Sequence, residues 1–239
     1  MRTSVVGIGM LGWLAACAAR AGEPQPSPPQ PTRPAACGQG KGSSCVELAR
    51  RYERGDGVER SAARALELYL DACQQDVARA CRAAADITTS GEGVAMDEVR
   101  GLALRERACQ LDDAIACNTV GVAYSEGKDG AAAVDHSRAR AHYEKACKLG
   151  NGVGCFNLGN VFRIGEGTAI DLRRALGEFQ RGCDLEAAIA CTEAGIIYWQ
   201  SDVVDPDLDR AAALFDKGCR LGSPVACKNG DRLRDARNP

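Results

Sequence analysis

Cysteine is the residue with the most chemical potential in this chain of 239 residues: there are thirteen, and twelve fall into six pairs of identical spacing. Cys37/Cys45, Cys73/Cys81, Cys109/Cys117, Cys147/Cys155, Cys183/Cys191 and Cys219/Cys227 each enclose seven residues. Thiols at this density serve either metal centres or a disulfide framework. Zinc requires C-x2-C clusters or adjoining histidines. The chain has only His136 and His142, six positions apart and so on different faces of a helix. No metal and no cofactor is expected, and disulfides made in an oxidising compartment account better for the count.

The other reactive groups are sparse. A serine acylase needs S-x-x-K on a helix with a second polar motif and an oxyanion hole. The one match runs from Ser125 to Lys128, with no K-T-G or S-D-N motif to complete it. No catalytic residue is assigned. A net charge of −2 and 5% aromatic content supply neither the basic patch nor the stacking platforms of a nucleic-acid binder, so nucleic acid is not an expected partner.

The elements that hold the cysteines repeat with them. The first cysteines of successive pairs advance by 36, 36, 38, 36 and 36 residues, the period of stacked helical pairs. Four residues before the cysteine that closes each unit stand Tyr69, Arg105, Tyr143, Phe179 and Phe215, and eight before stand Ala65, Gly101, Ala139, Ala175 and Ala211. These offsets share one helical face and alternate large with small. Twelve before stand Ser61, Asp97, Asp135, Asp171 and Asp207, all good N-caps, which predicts a second helix in each unit beginning there. Counting forward from Cys45, Cys81, Cys117, Cys155 and Cys191, the fourth residue is Ala49, Ala85, Gly121, Gly159 or Gly195, and the seventh is Tyr52, Thr88, Tyr124, Phe162 or Tyr198. A first helix is therefore predicted to start at each of these cysteines. Gly55-Asp56-Gly57, Gly91-Glu92-Gly93 and Gly165-Glu166-Gly167 supply the turns between the helices.

Irregularities are as informative as the rule. The third unit carries two extra residues around Gly127 to Val134, and the fifth replaces the turn glycines with Ser201 to Pro206. The second unit has Thr88 and Arg105 in both aromatic columns, which predicts the loosest packing of the array. Lys228 to Pro239 turns polar, as the outer face of a closing half-repeat should. Cys37 to Ser44 is glycine-rich and reads as an irregular lead-in. The expected fold is all-α: an α/α solenoid of about five helix-turn-helix repeats plus a C-terminal half-repeat, over residues 37–234, with a tail at 235–239.

This pattern resembles the Sel-like repeat family, relatives of the tetratricopeptide repeats, and more narrowly its disulfide-rich branch, the Helicobacter-type cysteine-rich secreted proteins. The resemblance implies that each bridge joins the end of one helical pair to the start of the next. A helix end at Cys147, a tight connection and a new helix from Cys155 would bring two Cα atoms within disulfide reach. It also raises the β-lactamase or penicillin-binding activity ascribed to some cysteine-rich relatives as an alternative function, with Ser125 the residue to test.

At the N-terminus, Val5 to Leu14 is too short to span a bilayer and reads as a signal-peptide core over residues 1–16. Leu14-Ala15-Ala16-Cys17 resembles the bacterial lipoprotein box, which would make Cys17, the thirteenth cysteine, a lipid-bearing first residue. Ala18 behind it resembles lipoproteins sent to the outer membrane, facing the periplasm. The competing reading is an ordinary cleavage that releases a soluble periplasmic or secreted protein. Residues 17–36 then form a linker, with six prolines between Glu23 and Pro34.

Stacked first helices offer a continuous inner surface, and binding is the natural use of it. Glu47, Arg50, Arg51, Asp86, Asn157, Asn160 and Glu193 fall on the face opposite the packing columns. Asn157 and Asn160 suit an extended peptide backbone, and Arg50 and Arg51 suit a carboxylate. The expected function is an envelope lipoprotein that binds a protein, a peptide or a cell-wall fragment without catalysis. A purely structural spacer is the remaining alternative.

Overall fold

The computed structural model describes residues 42–127, 131–200 and 204–237. The expected signal peptide, Cys17, the proline-rich linker, Cys37 and Lys128 lie outside them. The described residues contain eleven helices and no strand: α1 (Gly42–Arg54), α2 (Ala62–Gln74), α3 (Ala78–Ser90), α4 (Glu98–Gln110), α5 (Ala114–Glu126), α6 (His136–Lys148), α7 (Gly152–Ile164), α8 (Leu172–Asp184), α9 (Ala188–Gln200), α10 (Leu208–Arg220) and α11 (Pro224–Arg237). Odd-numbered helices are the first and even-numbered the second members of five pairs, and α11 closes the array. Each helix packs on its neighbours in sequence, and α5, α7, α9 and α11 also approach one another directly, which puts the first helices on the inside of the stack.

The second helices start where their caps predict. Ser61, Asp97, Asp135, Asp171 and Asp207 accept hydrogen bonds from the backbone N–H of Arg64, Arg100, Arg138, Arg174 and Arg210. The N–H of each cap residue donates back to the first helix, to the carbonyls of Tyr52, Thr88, Tyr124, Phe162 and Tyr198. One residue thus starts a helix and fixes it against its partner.

The first helices begin earlier than the cysteine pattern suggests. They start three residues before Cys81, Cys117, Cys155, Cys191 and Cys227; Asp113, Asn151 and Ser223 cap α5, α7 and α11 with their side chains, whereas α3 begins after Val77 without a side-chain cap. Gly152 and Gly154 therefore belong to the first turn of α7, and the residues of α1 before Cys45, Gly42 to Ser44, are helical rather than an irregular lead-in. The turns that precede α3, α5, α7, α9 and α11 have a positive φ at Asp76, Asp112, Gly150, Glu186 and Gly222. Glycine accepts this freely, and aspartate tolerates it better than most residues.

Large-to-small packing fills the interior. Phe179 and Phe215 have no exposed surface, and Tyr69 and Tyr143 are nearly as buried. The rings of Tyr143, Phe179 and Phe215 lie on Gly121, Gly159 and Gly195, where an added Cβ would fall 2.5 to 2.7 Å from ring carbons. Disulfides Cys73–Cys81, Cys109–Cys117, Cys147–Cys155, Cys183–Cys191 and Cys219–Cys227 join successive pairs, with Cα atoms 4.5 to 4.7 Å apart. Cys45 is also disulfide-bonded; its expected partner, Cys37, is outside the described residues. Bridges in this number belong to an oxidising, extracytoplasmic compartment. No helix among the described residues is long and apolar enough to cross a membrane.

Candidate functional site

A cavity of about 340 Å³ opens between α3, α4 and α5, where the aromatic columns are interrupted. In the fourth and fifth pairs a phenylalanine ring of the second helix packs directly against a glycine of the first. In the second pair the equivalent residue is Arg105, which swings out to donate to Asp86 Oδ1 at 3.2 Å and Thr89 Oγ1 at 2.9 Å. Thr88, in the other aromatic column, is buried and turns its hydroxyl onto the Ala84 carbonyl. Gly101 then lets α3 and α4 close on each other, since a Cβ there would lie 2.2 Å from Thr89 Cγ2. Small residues meet small residues, and the volume that a ring would fill stays open beside α5.

The lining divides into two parts. Leu102 of α4 and Val122 and Ala123 of α5 make an apolar wall. The polar part includes the charged Asp86, Glu98 and Arg105 together with Thr89, Ser90 and Thr119. The Arg105 side chain is only 18% exposed and is already neutralised by Asp86. Glu98 has no hydrogen-bond or ion-pair partner among the described residues and is balanced only by the N-terminal end of α4, so the site keeps a carboxylate without a counter-ion. An aliphatic chain ending in a cation matches such a lining, stem against Leu102 and Val122 and charge toward Glu98.

The residues singled out from the sequence occupy other places along the first helices. Glu47, Arg50 and Arg51 are exposed on α1. Arg51 Nε donates to the Asp56 carbonyl at 3.0 Å, and Arg50 shares the Tyr69 hydroxyl with Glu53, so both help to hold the first turn. Asn157 Nδ2 donates to Asn118 Oδ1 at 2.8 Å, linking α7 to α5, and Asn160 Oδ1 accepts from Arg163. Glu193 is partly buried on α9. These residues are spread over several repeats; of the set, only Asp86 lines the cavity.

The reactive candidates are engaged in packing. The Ser125 hydroxyl is hydrogen-bonded to that of Tyr143, whose pKa rises through burial. His142 stacks on Tyr124 with ring centroids 5.8 Å apart, and its Nδ1 lies 3.6 Å from Cys109 Sγ. Glu178 Oε2 lies 3.5 Å from Cys147 Sγ. His142 and Glu178 stand five residues before their cysteines, where Leu68, Leu104 and Leu214 stand in the other pairs. An apolar column that covers the preceding disulfide thus contains two ionisable members. Burial holds the His142 imidazole below and the Glu178 carboxyl above their usual ranges. Glu178 also completes a cluster with Cys147 and Cys155, whose sulfurs are bonded to each other and so are not thiolate ligands.

A column that the sequence pattern contains and the cysteines overshadow is Arg64, Arg100, Arg138, Arg174 and Arg210, each three residues after a cap. Arg138, Arg174 and Arg210 lie over the rings of Tyr124, Phe162 and Tyr198, at 5.3, 4.0 and 5.5 Å from the centroids. In the second pair Thr88 offers Arg100 no ring. The same pair is passed over when known repeats are compared: the Sel1 repeat model matches residues 42–77, 114–151, 152–185 and 188–223, more than half of the chain, and leaves α3 and α4 out.

The chain belongs to the Sel1 repeat family. Among solved structures, a Sel1 repeat protein from Oxalobacter formigenes is 21% identical and superposes with a TM-score of 0.72, over 83% of this chain and 79% of the other. The protective antigen c5321 of uropathogenic Escherichia coli, with the same fold, is 23% identical with a TM-score of 0.73; the match covers 80% of this Sel1 chain but only 40% of the antigen. Helicobacter pylori cysteine-rich protein B is 25% identical over 57% of this chain and 97% of its own, with a TM-score of 0.45. No curated protein sequence matches the chain. The second pair is thus both the departure from the Sel1 pattern and the place where a cavity opens.

Proposed function

We propose that this Sel1 repeat protein is a non-catalytic binding scaffold of the bacterial envelope. It takes a peptide segment, of a protein or of the cell wall, that presents a cationic side chain to the cavity between α3, α4 and α5. The observation that carries the reading is the unpartnered Glu98 beside an apolar wall, in the one pair whose ring positions hold Arg105 and Thr88. The neighbouring first helices, with Arg51, Asn157 and Asn160, extend the surface along which the rest of the segment lies. Leu14-Ala15-Ala16-Cys17 supports anchoring of the scaffold through lipidated Cys17 to the outer membrane, facing the periplasm.

Capture from native envelopes tests this. Wild-type protein is compared with Glu98→Gln, Arg105→Tyr and the pair Arg51→Ala with Asn157→Ala, and bound peptides are scored against copies with norleucine in place of lysine. Loss of a partner in the Glu98 and Arg105 variants, with weaker binding of the norleucine peptides, is expected; equal recovery of every partner overturns the cavity as the site. The same purification gives the mass of the mature N-terminus, and an unmodified terminus elsewhere than Cys17 rejects the anchor.

A further inference from the structure

Four consecutive disulfide loops carry the same two aliphatic side chains: Leu111 and Ile115, Leu149 and Val153, Leu185 and Ile189, Leu221 and Val225. Ile115, Val153, Ile189 and Val225 are 53, 46, 46 and 56% exposed, and Leu149 and Leu185 are 38 and 39% exposed. Ile115, Val153, Ile189 and Val225 are the second residues of α5, α7, α9 and α11, and the leucines directly follow α4, α6, α8 and α10, so the stacking of the repeats aligns them in a row along one edge of the solenoid. A lone exposed aliphatic is ordinary on a protein surface, whereas an aligned row is a contact surface. The disulfide and the turn hold each loop rigid, so little conformational entropy is lost when the row is covered.

The charges of these loops identify what covers it. Between their cysteines they contain Asp112 and Asp113, then Lys148, then Asp184 and Glu186, then Arg220, which gives net charges of −2, +1, −2 and +1. An even-numbered series of alternating sign is complementary to its own reverse: the first loop meets the fourth and the second meets the third. That reversal also sets Ile115 against Val225 and Val153 against Ile189. A parallel copy in register would oppose like charges at every loop. Asp113 is held by Arg82 with its side chain only 11% exposed, so the first loop's accessible charge is that of Asp112. Asp112 and Asp184 face Lys145 and Lys217 within the chain, yet their side chains remain 67 and 82% exposed and open to a second cation, and Lys148, beside Glu144, is 65% exposed.

We propose that two copies of this chain pair antiparallel along this edge, about a two-fold axis between the loops Cys147–Cys155 and Cys183–Cys191. None of the row's aliphatic residues lines the cavity, although Ile115 stands on α5 one turn before Thr119, which does, and the occupant of the row is the chain itself.

Light scattering and sedimentation of the full-length oxidised protein, from sub-micromolar to near-millimolar concentration, test the pairing. A mass that doubles with concentration is expected. Val153→Asp combined with Ile189→Asp should weaken association by about 100-fold or more. Both positions lie in the first turn of a helix, where aspartate is welcome, and circular dichroism with an intact-disulfide mass verifies the fold. Lys148→Glu alone should weaken pairing, and Lys148→Glu with Glu186→Lys should recover part of the loss, because the second loop faces the third in the antiparallel arrangement and faces its own copy in a parallel one in register. A wild-type mass that stays single throughout, a doubled mass indifferent to the aspartates, or a double reversal without rescue each overturns the proposal.

Discussion

Gly159 and Gly177 lie in partner helices of the fourth pair, and replacing each by alanine isolates what the ring-on-glycine contact contributes. A Cβ at Gly159 would lie 2.5 Å from Phe179 Cε1, 2.6 Å from Cδ1 and 3.1 Å from Cζ, whereas a Cβ at Gly177 meets nothing within 4 Å. Both changes gain helix propensity, about 1 kcal/mol each. Only Gly159→Ala must push a fully buried ring off its seat, which costs on the order of 1–3 kcal/mol. The propensity gains cancel in the comparison, so Gly177→Ala should exceed Gly159→Ala in stability by about 1–3 kcal/mol, and it should exceed the wild type as well. For a chain of this size each kcal/mol moves Tm by about 2–4 °C, a separation that thermal and denaturant unfolding followed by circular dichroism, with disulfides intact, resolves easily. Phe179→Leu should remove most of the penalty of Gly159→Ala in a double-mutant cycle. If the two alanine variants melt together, or the cycle shows no coupling, the large-to-small register is not what fixes the helices of a pair.

The two ionisable residues over the disulfides make stability depend on pH in opposite senses. Glu178 holds its proton in the folded state above the usual 4.5, so its contribution is present at low pH and is lost as pH rises through its raised value. His142 is held below 6.5, so its contribution is present at higher pH and is lost as pH falls through 6.5 toward its folded value. Glu178→Leu, which restores the leucine of the column, should therefore steepen the loss of stability on acidification, and His142→Leu should reverse it; unfolding curves of both variants between neutrality and about pH 4.5 that keep the wild-type slope would refute the assignment. Replacing Cys147 and Cys155 together by alanine should cost about 2.5 kcal/mol in denaturant unfolding, the chain-entropy value for a loop of about nine residues. A cost near zero would mean that the helix caps alone hold the junction.

The array is legible in the sequence because its causes are local and repeated. A cap residue, a turn glycine and alternating large and small side chains act within a few positions of each other, so six cysteine pairs and five cap residues suffice to predict the helical pairs. The starts of the first helices escape that pattern because their caps differ in type, Asp113, Asn151 and Ser223 for α5, α7 and α11 and Val77, which makes no side-chain cap, for α3, and the cysteine a turn further on is the more conspicuous mark. The interruption at Thr88 and Arg105 is likewise visible as a gap in two columns. What fills the gap is not, since it depends on how far α3 closes on α4 once Gly101 admits Thr89.

The concave-face residues show the same boundary between pattern and packing. Periodicity assigns Asn157 and Asn160 to the right helix, but only the distances to Asn118 and Arg163 reveal that their polar groups already have partners. Sequence alone determined the repeat and the helical pairs, because each follows from short-range geometry, and the pairing of the cysteines came from the family resemblance that the repeat revealed. Tertiary structure decided where a cavity opens, that Glu98 faces it unpaired, and that His142 and Glu178 lie against sulfur. These properties arise between residues of different repeats, where contact depends on how one pair stacks upon the next.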